Sequence, residues 1–209
     1  MKSLKSTNKQ HLTIFTALNI AVFWVFIISP TDPNKWKQIF DSLTLKDSLF
    51  LSISPILTLV LSGIFSATTK ARLVYWRYNY PLPGSEAFSV HMAKDHRIDP
   101  DALATKWGPL PSDPKDQNRL WYKIYKIVEN DIRVMDSHRD WLLSRDLAAY
   151  SVIFLLVFVP SVVGSGKAWK TTLIYIAIMI LQYLIILVAA RIYGKRFVCN
   201  VLSIDSQSN

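Results

Sequence analysis

Residues 147–163 read LAAYSVIFLLVFVPSVV, 17 positions without an Asp, Glu, Lys, Arg or His. A helix that is apolar on every side has no face to offer water, so Phe154, Leu155, Leu156, Val157 and Phe158 argue for a membrane span and against a soluble core helix. Crossing a hydrocarbon core of about 30 Å takes roughly 20 helical residues, with a range of about 17 to 25. Three further charge-free stretches meet that length: 12–29, 48–66 and 171–190. The second is the least regular, because Pro55 interrupts it and Ser52, Ser54 and Ser62 dilute it. Proline is tolerated in a span whose neighbours re-satisfy the freed carbonyl. The pattern predicts an all-α membrane protein. Its four transmembrane helices form two hairpins, in 1–66 and 147–209, that flank a helical insert at 67–146.

Composition agrees. The 209 residues are 51% hydrophobic and 19% charged, against about a quarter charged in soluble domains, and the mean hydropathy is +0.22. The single cysteine, Cys199, excludes a disulfide framework and a four-cysteine zinc site. Lys and Arg outnumber Asp and Glu by 24 to 15, so nucleic acid, acidic partners and anionic lipid are all electrostatically allowed.

The position of the basic residues sets the expected topology. Nineteen of the 24 fall in the N-terminal segment, the insert and the tail after 190, whereas the two opposite loops hold only Lys35, Lys37, Lys46, Lys167 and Lys170. The positive-inside rule then places both termini and the insert in the cytoplasm. Lys2, Lys5 and Lys9 precede the first span, but no small-x-small cleavage pattern follows it, so it reads as an uncleaved signal anchor.

The insert carries 13 basic and 11 acidic residues. It opens with basic and aromatic residues mixed directly after a span: Arg72, Tyr75, Trp76 and Arg77. Such a run suits an interfacial belt against anionic head groups better than a base-stacking platform. Pro81, Pro83 and Gly84 then predict a turn, with Ser85 capping a helix over 86–94. Asp99-Pro100 and Asp113-Pro114 each signal a helix start, and Gly108-Pro109 ends the first of those helices. From 114 the chain has no proline or glycine until Pro160, so one helix could run into the third span with Trp121, Ile124, Tyr125, Val128, Ile132 and Met135 on one stripe. Ser137 and Asp140 have capping-box spacing, which predicts a break at Asp136-Ser137 and a fresh helix through His138, Arg139 and Asp140 that couples the insert to the membrane.

Several chemistries are excluded. His138-Arg139-Asp140 resembles the kinase catalytic tripeptide, but Arg145 stands where that loop needs Asn, and no glycine-rich phosphate loop exists. His91 and His96 are five apart, which is not the spacing of a zinc helix, and no cofactor or metal is expected. No span carries an ionisable residue of the kind proton- or ion-coupled carriers use. The polar groups at depth are Thr16, Asn19, Ser54 and Gln182, which either hydrogen-bond between helices or line a narrow pore.

The segments 72–77 (RLVYWR), 82–89 (LPGSEAFS), 117–122 (QNRLWY) and 138–146 (HRDWLLSRD) resemble a family of small bacterial multi-pass inner-membrane proteins. Proteins of this build include membrane effectors of anti-phage defence, retron- or cyclic-nucleotide-based. The resemblance implies a prokaryotic inner membrane and a host-toxic output, and it carries over no catalytic residue. Two readings follow, neither of them an enzyme. One is a homo-oligomeric effector that perturbs the lipid bilayer when its insert is triggered. The other is a membrane-anchored scaffold or sensor that recruits a soluble protein or nucleic-acid partner through Arg72, Tyr75, Trp76, Arg77, Trp121 and Tyr122.

Overall fold

A computed structural model describes residues 4–28 and 52–208. Among them are seven α-helices and no strand: α1 (Leu4–Ile28), α2 (Ser54–Ile64), α3 (Ala67–Tyr75), α4 (Pro100–Trp107), α5 (Pro114–Val128), α6 (Ile132–Gly164) and α7 (Trp169–Gln207). Three of these, α1, α6 and α7, are long and apolar enough to cross a membrane. The expected second span is different. Residues 48–51 lie outside the described residues, and α2 has 11 residues. Eleven helical residues rise about 16 Å, short of a hydrocarbon core on their own. Pro55 sits in the first turn of α2, where its missing N–H costs no bond, directly after a turn at Ile53 that separates α2 from helical Ser52. A second break falls at Phe65, whose backbone is extended.

The chain divides into two compact units. The first comprises Met1–Ser66 with Asp146–Ile186, and the second Ala67–Arg145 with Leu187–Asn209. The tail after 190, expected as an appendage of the second hairpin, is therefore part of the insert's unit. It is reached without a break, since α7 runs on to Gln207.

In the first unit, α1 packs on α2 and the aromatic residues interlock. Phe23 stacks on Phe158 at 4.4 Å, Phe154 on Phe158 at 5.1 Å, and Phe26 lies 4.9 Å from Tyr175. Aliphatic side chains point outward instead: Ile56 and Leu156 are each 68% exposed and Ile185 62%. An outer surface this apolar is unfavourable in water and compatible with lipid.

In the second unit, Asp99 caps α4 through Asp101 N and Ala102 N, and Asp113 caps α5 through Lys115 N and Asp116 N, as the two Asp-Pro pairs predict. Gly108, at φ 78°, ends α4 in a conformation open to glycine. Three sequence expectations give way. The segment 86–94 is helical but not one α-helix: a 3₁₀ turn at Pro83–Glu86, a wider π turn at Ala87–His91 and a 3₁₀ turn at Met92–Lys94 follow one another, and Ser85 is buried without capping them. The run from 114 is broken after Val128: Asp131 Oδ1 accepts from Arg133 N, and α6 begins there. The break at Asp136-Ser137 is absent, since Ser137 Oγ donates back to Arg133 O and Val134 O inside an unbroken α6. The stripe survives in part, with Trp121, Ile124 and Val128 buried but Ile132 73% exposed.

Close approaches then fix the second unit. A Cβ on Gly84 would meet the Trp121 ring at 2.6 Å, and one on Gly194 would collide with the Tyr75 hydroxyl and the Trp141 ring. Only glycine lets the 83–86 turn sit on α5 and α7 lie against Tyr75 and Trp141.

Candidate functional site

The polar residues of the first unit are brought together. Thr58 Oγ1 lies 3.1 Å from Thr16 Oγ1 and shares its single O–H with Ser54 O at 2.7 Å, while Tyr150 Oη donates to Thr58 O at 2.8 Å. Gln182 Nε2 donates to Asn19 Oδ1 at 3.0 Å, and Asn19 Nδ2 donates to Phe15 O. Thr16, Asn19 and Ser54 are buried. Of the two roles open to these groups, the geometry is that of bonds between helices, each worth about 0.6 to 2 kcal/mol in lipid.

The residues offered as a partner surface separate into three kinds. Trp121 is 6% exposed and packs against Tyr125 and, edge-on at 5.1 Å, Phe197, so it is core. Its indole period matched the buried stripe, and only its neighbours show that no partner could reach it. Tyr75 is likewise held by Trp141, with its hydroxyl buried. Trp76, at 63%, and Tyr122, at 52%, are exposed, and Arg77 pairs with Glu86 at 2.6 Å.

Arg72 does something the sequence did not announce. Its Nε donates to Tyr78 O at 2.9 Å and its guanidinium lies 4.3 Å from the centre of the Tyr78 ring, which folds the 76–82 loop back on α3. The loop is strained, since Trp76 (φ 54°) and Tyr80 (φ 48°) both occupy the left-handed region disfavoured for large residues. Behind it lies a cavity of about 260 Å³ lined by Thr68, Arg72, Tyr80, Ser85, Lys115 and Asn118 among others, with no Asp or Glu. Lys115 was missed as a site residue. Its place in the first turn of α5 was legible, but its sharing a cavity with Arg72 depends on how the 83–86 turn seats on that helix.

The proposed coupling residues form another group. His138 stacks on Phe197 at 4.5 Å with rings 2° from parallel, and its Nδ1 lies 3.2 Å from the Tyr125 hydroxyl. Arg139 pairs with Asp136 at 3.2 Å and lies 3.6 Å from Asp140 on the same helix. Burial, then the Arg145 charge, lowers the His138 pKa from 6.5 to about 4. Burial pushes the Cys199 thiol up to about 12, so it is a poor nucleophile. Among the described residues no group of three His, Cys, Asp or Glu is placed to hold a metal ion.

A histidine held neutral in the fold contributes stability that is present above its unfolded pKa and lost as pH falls from about 6.5 to about 4. The full-length protein in detergent should lose about 2 kcal/mol across that window, after allowance for partial exposure. His138→Phe keeps the stacking on Phe197 and should flatten the pH profile of the unfolding midpoint. A variant profile parallel to that of the wild type would exclude His138 as the titrating group.

No family model, curated protein or solved structure matches the chain.

Proposed function

We propose that the chain is a four-span protein of the bacterial inner membrane, N-in and C-in, with the charge-free stretch 48–66, which includes α2, as the second span. In this reading it is an oligomeric effector of anti-phage defence that perturbs the membrane when its cytoplasmic insert is triggered. The observation that supports it is the Asn19–Gln182 hydrogen bond inside a largely apolar helical unit. At rest the two groups satisfy each other within the unit, and in the rearranged state they are the groups that face water or a second copy, so that state loses most when either is replaced by leucine. The insert is the natural receiver, because α6 and α7 each continue unbroken across the division between the units.

Induced expression in bacteria, with growth and uptake of a membrane-impermeant dye followed together, tests the reading. Wild type should admit dye, and Asn19→Leu or Gln182→Leu should suppress entry at equal abundance, since leucine removes a polar group without opening a cavity. Normal growth and dye exclusion with abundant wild-type protein would overturn autonomous membrane disruption.

The exposed Trp76, Tyr78 and Tyr122 favour the second reading, a membrane-anchored scaffold or sensor for a soluble protein or nucleic-acid partner. Its discriminating variant is Arg77→Glu, which should abolish recovery of that partner.

A further inference from the structure

The cavity behind the 76–82 loop has a composition that neither reading of the membrane unit uses. Two cations line it, Arg72 and Lys115, together with the hydroxyl and amide groups of Thr68, Ser85 and Asn118 and an apolar side formed by Pro81 and Leu82. With no carboxylate in the lining, the two positive charges have no counter-ion inside the cavity. Arg72 spends its Nε on the Tyr78 carbonyl, which fixes the plane of the guanidinium and leaves its terminal N–H groups as a fork. A guanidinium fork, an ammonium and several hydroxyl and amide donors around one space match a tetrahedral oxyanion with three or four acceptor oxygens better than a flat carboxylate. Lys115 stands in the first turn of the 15-residue α5, whose N-terminal amides are already capped by Asp113, so its contribution to the cavity is its ammonium charge. The strain at Tyr80, a lining residue, is of the kind that collects at binding sites.

We propose that this cavity binds a phosphate-bearing anion, with Arg72 and Lys115 as the two charged contacts and Ser85, Thr68 and Asn118 as neutral donors. The volume of about 260 Å³ accommodates a phosphate with a short ester arm rather than a whole nucleotide. Two sources supply that chemistry. One is the head group of an anionic phospholipid, available because α3 follows the apolar α2 directly in the chain. The other is a small soluble phosphate ester. The proposal stands on residues of the second unit alone and holds whether the protein is an effector or a scaffold.

The test uses purified full-length protein in micelles, with three probes: inorganic phosphate, sn-glycerol 3-phosphate, and phosphatidylglycerol against phosphatidylcholine, the lipids scored by retention in native mass spectrometry. Saturable binding is expected, weakened about fivefold or more by Lys115→Gln and by Arg72→Gln, and unchanged by Lys123→Gln on the same helix. Preferential retention of phosphatidylglycerol without binding of the soluble probes assigns the head group. Binding of either soluble probe with equal retention of both lipids assigns a soluble ester. Should Arg72→Gln unfold through loss of its Tyr78 bond, Lys115→Gln decides, because the exposed Lys115 side chain makes no hydrogen bond or ion pair among the described residues. Absence of saturable binding by all three probes, or equal binding by wild type and Lys115→Gln, overturns the proposal.

Discussion

Gln117→Leu is expected to cost about 3 kcal/mol or more and to lower the unfolding midpoint of the full-length protein by about 6–12 °C. Gln117 is 1% exposed. Its Oε1 accepts from Phe88 N at 3.0 Å and Ser89 N at 3.1 Å, and its Nε2 donates to Ser112 O at 2.8 Å. The wide turn at Ala87–His91 leaves these N–H groups outside any regular helical ladder, so one side chain completes it from α5. Leucine fills the volume but orphans three backbone groups. Amide exchange over 83–94 should accelerate with the melt, and Gln117→Glu, which keeps the acceptor, should lose less. An unchanged melt for Gln117→Leu would mean that water or another group satisfies those amides equally well.

Asp205→Ala is the second large effect, expected at about 2–4 kcal/mol. The Asp205 side chain is fully buried near the end of α7, where it accepts from Trp107 Nε1 at 2.6 Å and from Lys106 Nζ at 2.9 Å. Removing it strands the indole N–H and the ammonium together, while Lys106, at 36% exposure, recovers part of its loss by turning to water. Asp205→Asn keeps a neutral acceptor for Trp107 and should fall between alanine and wild type. The readout is protease sensitivity near residues 199–207 together with the melt. Cleavage there no faster than in the wild type would show that the tail is held by its apolar contacts, chiefly Phe197, Val198 and Leu202, rather than by the carboxylate.

Both effects belong to contacts between residues about 30 and 100 positions apart in the chain, and neither had a local signal. A buried Gln in an otherwise solvated-looking helix start, and an Asp in a polar tail, read as ordinary surface residues. The same blindness turned Trp121 into a partner-surface candidate: exposure is a property of neighbours, and the Phe197 and Gly84 that cover it come from distant segments. Conversely, the break expected at Ser137 rested on a pattern whose hydroxyl had a competing local acceptor, the carbonyl four residues back.

By itself the sequence determined the elements whose energetics are local. These are the apolar helices α1, α6 and α7, since lipid solvation needs only composition and length, and the two Asp-Pro helix starts, since a cap bonds within three residues. Tertiary structure alone decided that residues 187–209 join the insert, that Asn19 meets Gln182, and that Lys115 faces the same cavity as Arg72. Each of those depends on which faces pack together, and a one-dimensional pattern of polarity leaves that choice open until side chains from distant segments compete for the same space.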